Sequence, residues 1–212
     1  AIATGSSKMN EISNKIDEET SVCASYIKNL ITLGIIKKES PYGEKSSRKT
    51  IYSIEDNMFR FWYRFVPENT SLISRGATDL AYRRIAPEIS SYMGSVFEDI
   101  CKQYLWKLLL ERRCEVDFSD LGRWWGTNPK TKTQEEIDIM GTDKDAALFG
   151  ECKWTSEKVD RGVLETLVER SALFHYKKKH FYLFAKNGFT KGCIDKAAEM
   201  GNVTLVTYED IF

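Results

Sequence analysis

The sequence predicts an α/β protein: a winged helix-turn-helix segment followed by a larger αβ core with a mixed sheet. Three observations carry this. Two short amphipathic helical patterns precede two strand-like runs that flank a basic loop ending at Lys49. A long apolar stripe at helical spacing fills residues 93–109. From residue 136 onward the patterns read strand, strand, helix, strand, helix, strand, which is an α/β order.

Residues 10–16 form the first helix, with Ile12 and Ile16 four apart, and 17–20 form a turn. Residues 21–33 follow as a helix with Val22, Tyr26, Ile27 and Leu30 on its apolar stripe, stopped by Gly34. Residues 35–38 and 50–53 read as strands, and the loop between them carries Lys45, Arg48 and Lys49. Two helices and then a basic β-wing is the winged-helix order, assigned here to residues 1–66. If this segment binds DNA, the second helix enters the major groove with Lys28 and Asn29 exposed, and Lys45, Arg48 and Lys49 lie on phosphate. Protein docking is the alternative use of the same fold. Residues 56–65 read as an aromatic-rich helix, and 67–90 as a linker helical region broken near Pro87.

The core domain is assigned to residues 91–212. Its first helix buries Val96, Phe97, Ile100, Cys101, Tyr104 and Leu108 at helical spacing. Residues 114–118 and 123–126 read as strands. Residues 136–140 and 148–154 pair as a hairpin around a turn at 141–145, which supplies Gly141, Asp143 and Asp145. A helix at 159–176, a strand buried on both faces at 181–185, a helix at 189–200 and a strand at 203–206 complete the domain.

The 212 residues are 42% hydrophobic and 12% aromatic, enough for a sizeable core. Lysine plus arginine equals aspartate plus glutamate, for a formal net charge of +0, so nucleic-acid contact requires a local basic patch. No apolar run reaches membrane-spanning length and no signal peptide is visible. The five cysteines are scattered without a Cys-x-x-Cys pair, which fits a reducing, cytoplasmic setting. His175 and His180 flank three lysines with no third ligand nearby, so zinc is not expected. The opening Ala1-Ile2-Ala3 reads as a fragment cut from a longer protein, and no phosphate-binding Gly-x-x-x-x-Gly-Lys loop occurs in it.

The chemistry concentrates in the hairpin. Side chains alternate along a strand, so Asp138 shares a face with Glu136, and Ile137 and Ile139 point the other way. Glu151 and Lys153 share a face about 7 Å apart. Antiparallel pairing brings Asp138 alongside Glu151. Two carboxylates so placed, with the backbone carbonyl of Cys152, suit Mg²⁺. Lys153 is placed to orient a water or stabilise developing negative charge. A surface hairpin with an incidental ion pair is the plain alternative.

Ile137-Asp138, a hairpin, then Glu151-Cys152-Lys153 resembles the core of the PD-(D/E)XK nuclease superfamily. Together with residues 59–65 and 122–126, the wording is similar to the C-terminal region, domain of unknown function 234, of archaeal-type DEXX-box ATPases. The resemblance implies a restriction-endonuclease-like αβ core. It implies Asp138, Glu151, Lys153 and Glu98 as catalytic residues, with Asp138, Glu151, Glu98 and the Cys152 carbonyl on Mg²⁺. It further implies DNA and the protein's own ATPase domain as partners, with ATP bound only in that missing domain. Some superfamily members carry Gln on the helix after the lysine, where this chain has Glu165, Glu169 and Arg170. Three functions stay open: a Mg²⁺-dependent deoxyribonuclease, a catalytically silent DNA- or protein-binding arm of the ATPase, and a winged-helix transcription regulator.

Overall fold

The structure is a computed structural model that describes residues 1–44 and 49–212; Lys45 and Arg48 of the expected wing lie outside the described residues. The protein is mixed α/β and packs as two compact units, Ala1–Ile89 and Ser90–Phe212.

The first unit holds α1 (Met9–Ile16), α2 (Thr20–Thr32), β1 (Ile36–Glu39), β2 (Ile51–Ile54), α3 (Asn57–Phe65) and α4 (Thr70–Ser74). Ile12 of α1 meets Cys23 and Ile27 of α2, and Ile2, Met9 and Tyr52 pack around them. Asp17 closes α1 in the left-handed region, φ 55°, which a short polar side chain tolerates. β1 and β2 pair antiparallel from Ile36↔Ile54 to Glu39↔Ile51. Asp56 caps α3 by accepting the Phe59 N–H at 2.9 Å.

The helix α5 runs Thr78–Leu110 without a break, although Pro87 was expected to interrupt it. A proline removes one helical hydrogen bond and crowds the preceding turn. Buried residues on both sides of it, Ala81 before and Tyr92 and Phe97 after, outweigh that cost.

The second unit is built on a five-stranded mixed sheet in the order β3 (Gly122–Thr127), β4 (Gln134–Asp143), β5 (Ala146–Lys153), β6 (Lys178–Ala185), β7 (Val203–Thr207). The first three strands are antiparallel, and β5, β6 and β7 are parallel. The connections dictate this. Two residues, Lys144 and Asp145, join β4 to β5, and Lys144 takes the positive φ that such a tight hairpin demands. The parallel steps pass through α6 (Arg161–Ser171) and α7 (Lys191–Met200) as crossovers.

One face of the sheet, with Ile139, Leu148, Tyr182, Phe184 and Val206, packs on Phe97, Cys101, Leu105 and Leu108 of α5. The Phe97 ring lies 5.2 Å from Trp154, and Trp154 meets Tyr208 edge-on at 5.5 Å. On the other face Phe149 packs against Phe174 at 5.7 Å and Phe181 at 5.9 Å. Leu164 and Leu167 of α6 are fully buried.

Three expectations are corrected. Residues 114–118 form no strand; Val116 and Phe118 are buried by packing on the α5 cluster instead. The helix expected over 159–176 is the shorter α6: Asp160 caps its start by accepting the Val163 N–H, and it ends at Ser171. Gly141 lies inside β4, not in the turn. Residues 118–121 press on that strand there: a Cβ on Gly141 would stand 2.7 Å from Leu121 Cδ2, 3.2 Å from Phe118 Cβ and 3.3 Å from the Asp120 carbonyl. Gly141→Ala is therefore expected to destabilise the protein by about 1–3 kcal/mol, as overpacking does. A urea melt with unchanged midpoint would show that residues 118–121 yield freely.

Candidate functional site

The site is created by an irregularity in β4. Gly122 pairs with Met140, yet Trp124 pairs with Ile137, so β4 carries one extra residue between these pairs. Trp124, opposite Ile137, packs edge-on to Phe174 at 5.1 Å, on the face that holds Phe149. Ile139 packs on the α5 face. Ile137 and Ile139 thus point to opposite faces, where strict alternation would place them together. Asp138 sits at the crossing.

There the Asp138 side chain replaces a ladder contact. Its Oδ2 accepts the Cys152 N–H at 2.8 Å. The β4–β5 register ends at Ile139↔Gly150, one residue short of Asp138 and Glu151 on each strand. The N–H and C=O of one strand residue face the same neighbour, so the Cys152 carbonyl points to the Asp138 side as well.

Glu151 is a buried charge, 6% exposed. Lys153 Nζ donates to its Oε1 at 2.7 Å, and Arg170 Nη1 reaches its Oε2 at 3.5 Å. Arg170 Nε also donates to Glu135 Oε2 at 3.1 Å, tying α6 to β4. Arg123 Nη1 pairs with Glu136 Oε1 at 3.1 Å, and its guanidinium lies over Trp125 at 5.3 Å. Sequence reasoning noted Arg170 only as a departure and did not assign Glu135 or Arg123. The available signal was position: Arg170 stands three residues after Leu167 and directly before Ser171, both on the buried stripe of α6.

The acids strain one another electrostatically. Burial pushes the Glu98 carboxyl from 4.5 up to about 7, Asp138 and Glu136 add to this, and Arg123 and Lys102 oppose it. Burial, then Glu151, raises Asp138 from 3.8 to about 6 against the Cys152 N–H, Lys153 and Arg123. Burial works against the Lys153 charge, but Glu151, through both charge and hydrogen bond, outweighs it and raises its pKa.

Asp138 therefore lies within electrostatic reach of Glu98 on one side and of Glu151 and Lys153 on the other. Among the described residues, no three His, Cys, Asp or Glu side chains form a ready-made metal cage. Mg²⁺ needs only one or two carboxylates and keeps waters, and the donors present are hard oxygens, so the set fits it. Of the expected DNA contacts, Lys28 and Asn29 are exposed on α2, and Asn29 borders an apolar cavity of about 630 Å³ with Tyr26 and Ile27. Lys49 pairs with Glu44 at 3.2 Å.

Residues 62–164, which include this hairpin, match the model of domain of unknown function 234, described as archaea bacterial proteins of unknown function. An uncharacterized protein of Methanocaldococcus jannaschii is 36% identical over 166 residues, 77% of this chain. The chain spans 36% of that relative's length. No solved structure matches it. The family match contains Glu98, Asp138, Glu151 and Lys153 and stops before Arg170. No helix among the described residues is long and apolar enough to cross a membrane.

The Glu98 shift sets a pH dependence. Between about pH 4.5 and about 7 the folded protein holds the Glu98 proton more tightly than the unfolded chain. Its stability contribution is thus present below 4.5 and lost as pH rises through about 7. Glu98→Gln is expected to flatten that decline, leaving the part due to Asp138, and to be more stable at pH 8 by on the order of 1–3 kcal/mol. Urea melts from pH 4.5 to 8 test this; parallel curves for the two proteins would refute it.

Proposed function

We propose that residues 91–212 are a PD-(D/E)XK nuclease-like domain that hydrolyses DNA phosphodiester bonds with Mg²⁺. In the same reading, residues 1–66 are a DNA-binding winged helix, and both belong to the C-terminal portion of a DEXX-box ATPase. The observation that carries the nuclease reading is Asp138, where β4 changes face, bonded to the Cys152 N–H between Glu151 and Lys153 and within electrostatic reach of Glu98. The ATPase portion rests on the sequence resemblance alone.

Asp138, Glu151 and the Cys152 carbonyl would hold the cation, with Glu98 supporting from α5. When bound, Mg²⁺ supplies charge compensation at phosphate and acidifies water. The Cys152 N–H fixes the Asp138 carboxylate, leaving Oδ1 free of hydrogen bonds among the described residues. Lys153, paired with Glu151 at 2.7 Å, would orient the attacking water and meet charge developing on the phosphate. Burial lowers the local dielectric, which strengthens each of these contacts.

The second reading, a DNA- or protein-binding arm without cleavage, is favoured by one specific contact. Arg170 adds a second cation to Glu151, as a purely structural network would require. Incubating linear duplex and single-stranded DNA with Mg²⁺ separates the two readings. Cleavage by the wild type and its loss by at least 100-fold in Lys153→Ala is expected. Cleavage retained by Lys153→Ala would assign it to something other than this site, and none by the wild type would leave the silent arm.

Asp138→Asn keeps the shape and the acceptor for the Cys152 N–H. It is expected to keep or raise metal-free stability while Mg²⁺ affinity falls at least tenfold. A loss above about 1 kcal/mol in the melt with unchanged Mg²⁺ binding would make the acid structural. For the winged helix, neutral replacement of Lys45, Arg48 or Lys49 is expected to weaken DNA binding without sequence bias. Each should reduce the salt slope by about 1. Unchanged binding in all three would assign this segment to protein contacts.

A further inference from the structure

Arg170 does more geometrically than balance one buried charge. From the last turn of α6 it spans two strands, with Nε on Glu135 of β4 at 3.1 Å and Nη1 toward Glu151 of β5 at 3.5 Å. The two contacts are unequal. The Glu135 contact has ordinary hydrogen-bond length, whereas the Glu151 contact is at the limit of one. Glu151 meanwhile has a much closer partner, Lys153 at 2.7 Å on the other oxygen. Arg170 is thus anchored by Glu135 and only leans on Glu151. Its side chain keeps 24% exposure, so its donors stand at the rim of the site.

Resting on the nuclease reading, we propose that Arg170 is a phosphate-binding residue held in reserve on Glu151 and transferred to the DNA backbone when a divalent cation occupies Asp138 and Glu151. A divalent cation on Glu151 competes for the same carboxylate and repels the nearby guanidinium. Nη1 gives up its long contact first. The Nε bond to Glu135 keeps the side chain at the site while Nη1 and Nη2 turn outward. A guanidinium presents its donors in a planar fork that matches two phosphate oxygens, a geometry that lysine lacks. The exchange leaves no charge bare: metal replaces Arg170 on Glu151, and phosphate replaces Glu151 on Arg170. Ordered binding follows, with the cation preparing the site for the strand.

A residue that only compensates buried charge behaves differently, and Arg170→Gln distinguishes the two. Calorimetric titration of the protein alone with Mg²⁺ is expected to show about tenfold tighter binding in Arg170→Gln, because a competitor for Glu151 is gone. The second measurement is the salt dependence of binding to a duplex oligonucleotide, with EDTA and with Ca²⁺, the DNA being checked for intactness. With EDTA the two proteins should have equal slopes; with Ca²⁺ the wild type should be steeper by about 0.9, one phosphate contact. Equal or weaker Mg²⁺ binding by a folded Arg170→Gln, or a slope difference that does not depend on Ca²⁺, overturns the proposal. Glu135→Ala removes the anchor and keeps the cation, so the test survives if Arg170→Gln fails to fold. It should lose the Ca²⁺-dependent increment, and an increment that persists overturns the proposal equally. A wild type that binds no Mg²⁺ at all would instead remove the nuclease reading, and this inference with it.

Discussion

The hydrogen bond from the Cys152 N–H to Asp138 is where the architecture of the second unit and its chemistry meet. A regular antiparallel ladder would pair backbone with backbone at that step and send Asp138 to one face. The extra residue in β4 breaks the ladder, and the carboxylate satisfies the backbone donor left behind. The same event lets one aspartate sense Glu98 from the α5 side and Glu151 from the other.

Holding those acids together costs free energy, and the surroundings limit the cost. Lys153 and Arg170 attend Glu151, Arg123 attends Glu136, and Arg170 also attends Glu135. Each cation comes from a different element, namely β5, α6 and β3, so the network also fixes how α6 lies on the sheet. The apolar layers are what permit this. Phe97, Cys101 and Leu105 on one face and Phe149, Leu164 and Leu167 on the other are fully buried, and they hold the charged rim in place.

Much of this was legible in the sequence, for identifiable reasons. The long stripe ending at Leu109, the alternating helix and strand order and the antiparallel hairpin that carries Asp138 and Glu151 follow from periodicities of 3.6 and 2, which residue spacing reports directly. What stayed hidden depends on contacts between distant segments. Gly141 reads locally as a turn residue, but it is needed because Phe118 and Leu121 press on its strand. Pro87 reads locally as a breaker, but tertiary burial keeps α5 intact around it. The bulge leaves no trace, since an extra residue in β4 is defined only against β3. Arg170 was visible as a residue and invisible as a partner, because Glu135 and Glu151 lie 35 and 19 positions away.

The aromatic stack beside the site has a practical consequence. Trp154 immediately follows Lys153, is enclosed by Phe97 and Tyr208, and carries the Lys186 ammonium 4.9 Å above its ring. Phe97 in turn precedes Glu98, so this indole bridges the helix and the strand that supply the acids. With the other four tryptophans replaced, Trp154 becomes a built-in optical gauge of the seam between α5 and β5. Its emission should respond when that seam loosens or the nearby cation moves, without any label introduced near the carboxylates.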